Sequence, residues 1–148
     1  MIRAAIAAVL ATTALAACGE AVDLPPPGDY TTWERFDVLG PAPGHGDSYR
    51  IIYANDIATG NGPRLSGYLE GSILVKEIRD NDDGQPGALR YVALMRRIGP
   101  PPATLTEEGG WVFSMTDTPG GDEVHNDFCW ARCHVAAPYN GAWYDYRR

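Results

Sequence analysis

The chain has 148 residues, a formal net charge of −7, 45% hydrophobic residues and 21% charged residues. That balance fits one globular domain rather than a disordered chain. Only 12 Lys and Arg are present and they are scattered, so the footprint of a nucleic-acid binder is missing and no such partner is expected.

The first residues read as a targeting segment. Arg3 supplies a positive start, and Ala4 to Leu15 is an apolar run of signal-peptide length, too short to span a bilayer. It closes in Leu15-Ala16-Ala17-Cys18, which resembles the bacterial lipobox, where small residues admit the peptidase and the Cys thiol takes the lipid. The expectation is a signal peptide over 1–17, a lipidated Cys18 with a spacer over 18–28, and one domain over 29–148. Such a protein sits in the cell envelope facing the periplasm, lipid-anchored to the outer membrane if the cell is Gram-negative. The other reading is an ordinary secretory peptide cut after Ala16, with Cys18 incidental.

Pro25-Pro26-Pro27-Gly28 reads as an extended spacer. Thr31 and Glu34 then stand at capping-box spacing, and Trp33 and Phe36 share a helical face, which predicts a short amphipathic helix over Asp29 to Leu39. Gly40 to Gly46 breaks it. From Tyr49 the pattern has period two: Tyr49 to Ala54, Ser72 to Arg79, Leu89 to Arg97 and Gly110 to Thr116 are strand-like. Asn81 to Gly84 and Pro86-Gly87 predict the turn between the second and third of these. Pro100 to Pro102 falls in a loop, and Asp117 to Asp127 reads as a polar, Gly-rich loop. The fold class expected is α+β, mainly β: an antiparallel sheet of about five strands with the N-terminal helix packed on it and a C-terminal haem-attachment segment.

That last element rests on Cys129-Trp130-Ala131-Arg132-Cys133-His134. In an oxidising compartment two adjacent thiols are joined to each other, to a metal or to a cofactor. A c-type haem needs two thiols for its vinyl groups and a neighbouring imidazole for its iron, and this segment brings all three onto one short turn. The usual spacing has two residues between the cysteines; here there are three. A Cys129–Cys133 disulfide and a metal site with ligands from elsewhere, for which only His45 and His125 remain as imidazoles, stay open.

Strand alternation singles out two cations. Lys76 points to the same side as Leu74 and Ile78, and Arg50 to the same side as Ile52. Each either snorkels outward or faces a buried anionic or redox-active group.

The order of features over residues 30 to 146 resembles the cytochrome P-460 family, which includes the cytochrome c′-beta proteins. The resemblance lies in Thr32-Trp33-Glu34, His45-Gly46, the run from Tyr49 to Asp56, Gly67 to Glu77, Leu94 to Arg97, Gly110 to Phe113, Cys129 to His134, and Asp145. It implies a predominantly antiparallel β fold, a homodimer, and haem c, with thioethers at Cys129 and Cys133 and His134 as the proximal iron ligand. It further implies that Lys76 matches a lysine that bonds to the porphyrin in hydroxylamine-oxidising members, and that Arg50 matches a distal-side Arg. The chain departs from the family in the extra residue between the cysteines. No residue clearly matches the distal carboxylate; Glu107 and Glu108 are loop candidates, and solvated surface is the expectation for both.

Three functions follow. The first is an oxidoreductase acting on a small nitrogen compound, hydroxylamine or nitric oxide, with Arg50 and Lys76 as catalytic residues and an electron-accepting cytochrome as a partner. The second is a nitric oxide- or gas-binding haem protein. The third is a haemless envelope lipoprotein closed by a Cys129–Cys133 disulfide. Electron transfer is a weaker reading that would need Met95 or Met115 facing the iron.

Overall fold

The computed structural model describes residues 21–60, 67–98 and 108–148. The signal segment, Cys18, Pro100 to Pro102 and Glu107 lie outside the described residues. The fold is mainly β. In chain order the elements are β1 (Glu34–Val38), β2 (Pro41–Ala42), β3 (Gly46–Ala54), α1 (Asp56–Thr59), β4 (Ile73–Asp82), β5 (Gln85–Arg97), β6 (Trp111–Thr116), β7 (Val124–His125) and α2 (Asp127–Arg132). Single 3-10 turns cover Tyr30–Thr32 and His134–Ala136. The sheet runs β1-β3-β4-β5-β6-β7, antiparallel throughout, with β2 as an extra pairing on β3.

The helix expected over Asp29 to Leu39 does not form. Asp29, not Thr31, is the cap: its Oδ1 accepts from the Thr31 amide at 3.2 Å and hydroxyl at 2.6 Å, closing only the 3-10 turn. Trp33 is extended, and Glu34 to Val38 pair with β3, Phe36 opposite Ile52 and Val38 opposite Arg50. A three-residue spacing puts Trp33 and Phe36 on one side of a helix but on opposite sides of extended chain. Here they join different core clusters, Phe36 beside Ile52 and Leu74, Trp33 beside Tyr30 and Val75. Cross-strand pairing with β3 outweighs the weak local helical signal.

The other strands lie where alternation put them; β3 and β5 begin earlier than expected, β4 runs on to Asp82, and β6 begins one residue later, at Trp111. Asp83 and Gly84, at φ 50° and 85°, make the two-residue β4–β5 hairpin turn. Pro86 and Gly87 are already in β5, next to irregular register with β4. The polar segment before Asp127 contains β7, to which the N-terminal segment is pinned. Ala21 bridges Val124, and the Val22 amide donates to the Glu123 carbonyl at 3.2 Å.

Each face of the sheet has its own core. One holds Ile52, Ala54, Leu74, Met95, Trp111 and Phe113, closed by Tyr68, Ala142 and Tyr146 from outside the sheet. The other holds Ile51, Tyr53, Val75, Val92 and Leu94 under Tyr30. Among the described residues no helix is long and apolar enough to cross a membrane.

Candidate functional site

The first face is only partly covered, and a cavity of about 550 Å³ opens between it and the C-terminal segment. This is the size of a small-molecule or cofactor site. Ile52, Leu74, Ala93, Met95 and Met115 form its sheet wall; α2 and the following turn contribute Phe128, Cys129, Arg132, Cys133 and His134; Trp143, Tyr144 and Tyr146 line it from the chain end. Arg50 and Lys76 line it as well, so neither cation snorkels to the outside.

The extra residue between the cysteines has a local solution. Cys129 is inside α2 and Cys133 caps it, a spacing of four, and side chains four apart on a helix lie on one face. Both therefore reach the same cavity, and they are not bonded to each other. Two contacts seat the helix. Gly109, at φ +65°, has no side chain where a Cβ would fall 2.3 Å from the Trp130 ring, and the Trp130 ring stands 6.2 Å from Phe113.

His134 follows directly and is buried, its ring 4.9 Å from that of Phe113. Its Nδ1 donates to the Gly141 carbonyl at 2.6 Å. That bond fixes the tautomer and leaves Nε2 with a lone pair, which is how a metal-ligating histidine is oriented. Gly141, at φ +89°, packs so closely that a Cβ there would lie 2.9 Å from Trp111 Nε1, and Trp111 in turn donates to the Asn140 carbonyl at 2.7 Å. Burial holds the His134 pKa down at about 4, against the opposing pull of the Gly141 carbonyl. The imidazole is therefore neutral and able to ligate at neutral pH.

Lys76 reaches the cavity from β4, its Nζ 2.9 Å from His45 Nε2. His45 Nδ1 is 2.8 Å from the Tyr91 hydroxyl. Burial lowers the Lys76 pKa to about 8, with the nearby cysteines working against the shift and Arg50 adding to it. His45 is pushed down to about 3, first by burial and then by the Lys76 and Arg50 charges. Arg50 is buried; its Nη2 donates to the Gly40 carbonyl at 2.8 Å and its Nε has no partner. No Asp or Glu is among the described residues lining the cavity.

Glu108 is not solvated surface. It is buried, accepting from the Phe113 amide at 3.3 Å and lying 3.2 Å from His125 Nε2. Burial raises its pKa. It does not line the cavity. Among the described residues no three His, Cys, Asp or Glu side chains converge as a metal site.

Sequence reasoning singled out Arg50, Lys76, Cys129, Cys133 and His134, and all five face one cavity. It missed His45 and Tyr91 as a connected pair. Tyr91 alternates with Ala93 and Met95 and was legible as cavity-facing once β5 was drawn; the His45 contact was not. The donor set suits a c-type haem: two unpaired thiols lining one cavity, a tautomer-fixed neutral imidazole, an apolar wall and a buried guanidinium with a spare donor. No known family model matches the chain, and no curated protein matches it.

Proposed function

We propose that this chain is a periplasm-facing c-type haem protein that acts as an oxidoreductase on a small nitrogen compound, hydroxylamine or nitric oxide. The observation that supports it is the meeting of Cys129, Cys133, His134, Lys76 and Arg50 in one largely apolar cavity of about 550 Å³. Cys129 and Cys133 would hold the group by thioethers, and His134 Nε2 would ligate its iron. When bound, haem supplies an open iron position and the redox change. The protein supplies the rest. Apolar walls from Ile52, Leu74 and Met95 exclude water, and Arg50, with a donor unpaired in a low-dielectric site, stabilises negative charge on a bound ligand. Lys76 and His45 are the ionisable groups available to hold or move a proton. The envelope reading completes the proposal, with a lipid anchor at Cys18, a homodimer, and an electron-accepting cytochrome as partner.

The test is mass and absorption spectroscopy of full-length protein matured with the cytochrome c assembly machinery. Denatured protein is expected to retain haem and give a pyridine haemochrome spectrum, Cys129→Ser and Cys133→Ser each keeping at most one thioether. Purified protein is expected to oxidise hydroxylamine. A wild-type mass equal to the apoprotein less two hydrogens would mean a disulfide and end the haem reading. Release of Cys18→Ser from the membrane fraction tests the anchor separately.

A second reading has its own observation. The lining described holds no carboxylate to accept protons from a substrate, which favours nitric oxide binding without turnover. An ordinary c-type spectrum with nitric oxide binding and no hydroxylamine oxidation would select it. A strongly red-shifted Soret band, lost in Lys76→Ala, would instead indicate a bond from Lys76 to the porphyrin.

A further inference from the structure

We infer that Lys76, His45 and Tyr91 form a proton-transfer chain along the cavity wall. The inference rests on the proposed site and deepens it, because a cavity whose described lining has no carboxylate still needs a route for protons. Both ring nitrogens of His45 are engaged, Nε2 by the Lys76 amine at 2.9 Å and Nδ1 by the Tyr91 hydroxyl at 2.8 Å. An imidazole bonded at both nitrogens takes a proton at one and gives one up at the other. Tyr91 is half-buried and lines the same cavity, so its hydroxyl carries the chain on along the cavity wall.

The proton count fixes two end states. With Lys76 as ammonium, Nζ donates to His45 Nε2, and His45 Nδ1–H donates to the Tyr91 oxygen. With Lys76 as neutral amine, His45 Nε2–H donates to Nζ, and the Tyr91 hydroxyl donates to Nδ1. Passage from the first to the second moves one proton from Lys76 to Nε2 and one from Nδ1 to the Tyr91 oxygen, and releases the original Tyr91 proton to water. No electrons move, and His45 is neutral at both ends. The other ionisable groups with an electrostatic hold on this pair are Arg50, Cys129, Cys133 and His134. None is within the bonded chain. Arg50 opposes a positive charge on either member.

The arrangement makes a prediction that a merely structural hydrogen bond does not. Passage of the proton through His45 leaves its tautomer switched from Nδ1–H to Nε2–H as Lys76 loses its proton, near a pH of about 8. The measurement is nitrogen NMR of full-length protein labelled at histidine, in the diamagnetic ferrous carbon monoxide form wherever haem is present. The Lys76 peptide is weighed first, and a Lys76 found joined to a porphyrin overturns the chain. The expected result is a neutral His45 throughout, a tautomer switch in the wild type, and none in Lys76→Met. A fixed tautomer, or the same switch in Lys76→Met, overturns the inference. His45→Gln keeps a hydrogen-bond donor and acceptor but cannot pass a proton. It is expected to slow hydrogen–deuterium exchange of the Lys76 amine by about tenfold or more; an unchanged rate overturns the chain. Neither readout needs haem, so loss of the haem reading and loss of the proton chain are separate results.

Discussion

Lys76 and Glu77 are neighbours on β4, each in an apolar setting on opposite faces of the sheet, and they are treated in opposite ways. On the closed face Glu77 is 4% exposed and fully partnered. The Tyr30 hydroxyl donates to its Oε1 at 3.0 Å, and Arg79 Nε donates to its Oε2 at 2.8 Å. On the open face Lys76 meets no carboxylate among the described residues and is bonded to the neutral His45 imidazole. A buried charge with complete partners ties the N-terminal turn to the sheet. A buried amine left without a counter-ion opposes folding, and such a group persists at sites whose chemistry uses it.

The contrast can be broken by substitution. Glu77→Gln leaves Arg79 without its ion pair and weakens the Tyr30 bond, so a loss of about 2–3 kcal/mol is expected, at or below the low end for a broken buried pair because Arg79 is partly exposed. Lys76→Met removes a desolvated charge and leaves an apolar side chain in an apolar wall, so stability is expected to hold or rise by about 1 kcal/mol. Urea unfolding of the two variants reads both signs. Equal losses would mean that Lys76 is as structural as Glu77, and the open face would lose its distinction.

A smaller effect sharpens the same point through pH. His45 is held near a pKa of about 3 by burial and by the Lys76 and Arg50 charges, with His134 adding to the shift, while an unfolded histidine titrates near about 6.5. As pH falls below that value the unfolded chain takes up a proton that the folded chain refuses. The stability is therefore complete above about pH 6.5 and is lost as pH falls towards about 3. In haem-free protein His134 adds a loss of the same sign over the upper part of that range. The drop in urea midpoint between about pH 7 and about pH 4 is expected to be smaller in His45→Gln than in the wild type. An identical drop in both would show that His45 carries none of it.

How far the site was legible follows from sequence separation. The Cys129–His134 group is contiguous, so its members needed only one helical turn to meet, and the spacing of four is legible as one face of α2. The cavity side of Lys76 and Arg50 came from alternation, a local property of extended chain. Glu108 was misjudged because a Gly-flanked loop position carries no local mark of burial; its partners Phe113 and His125 are brought to it by β6 and β7. The N-terminal helix failed because Phe36 fits both periods, and only the pairing with Ile52 decides between them.

By itself the sequence determined the period-two strands, a turn within Asn81 to Gly84, where Asp83 and Gly84 take positive φ, and the closeness of two thiols to an imidazole. These are set by residues within a few positions of one another, where backbone sterics act directly. Only the tertiary structure decided that Lys76 meets His45 across 31 positions and that His45 meets Tyr91 across 46. It also decided that Gly141 supplies the carbonyl that orients His134. The two longer meetings depend on strand register and on the β2–β3 loop folding back over the sheet, and the third on the chain end doubling back onto Trp111. Register and chain return are properties of the assembled fold, because the free energy that selects them comes from burying both sheet faces together rather than from any one segment.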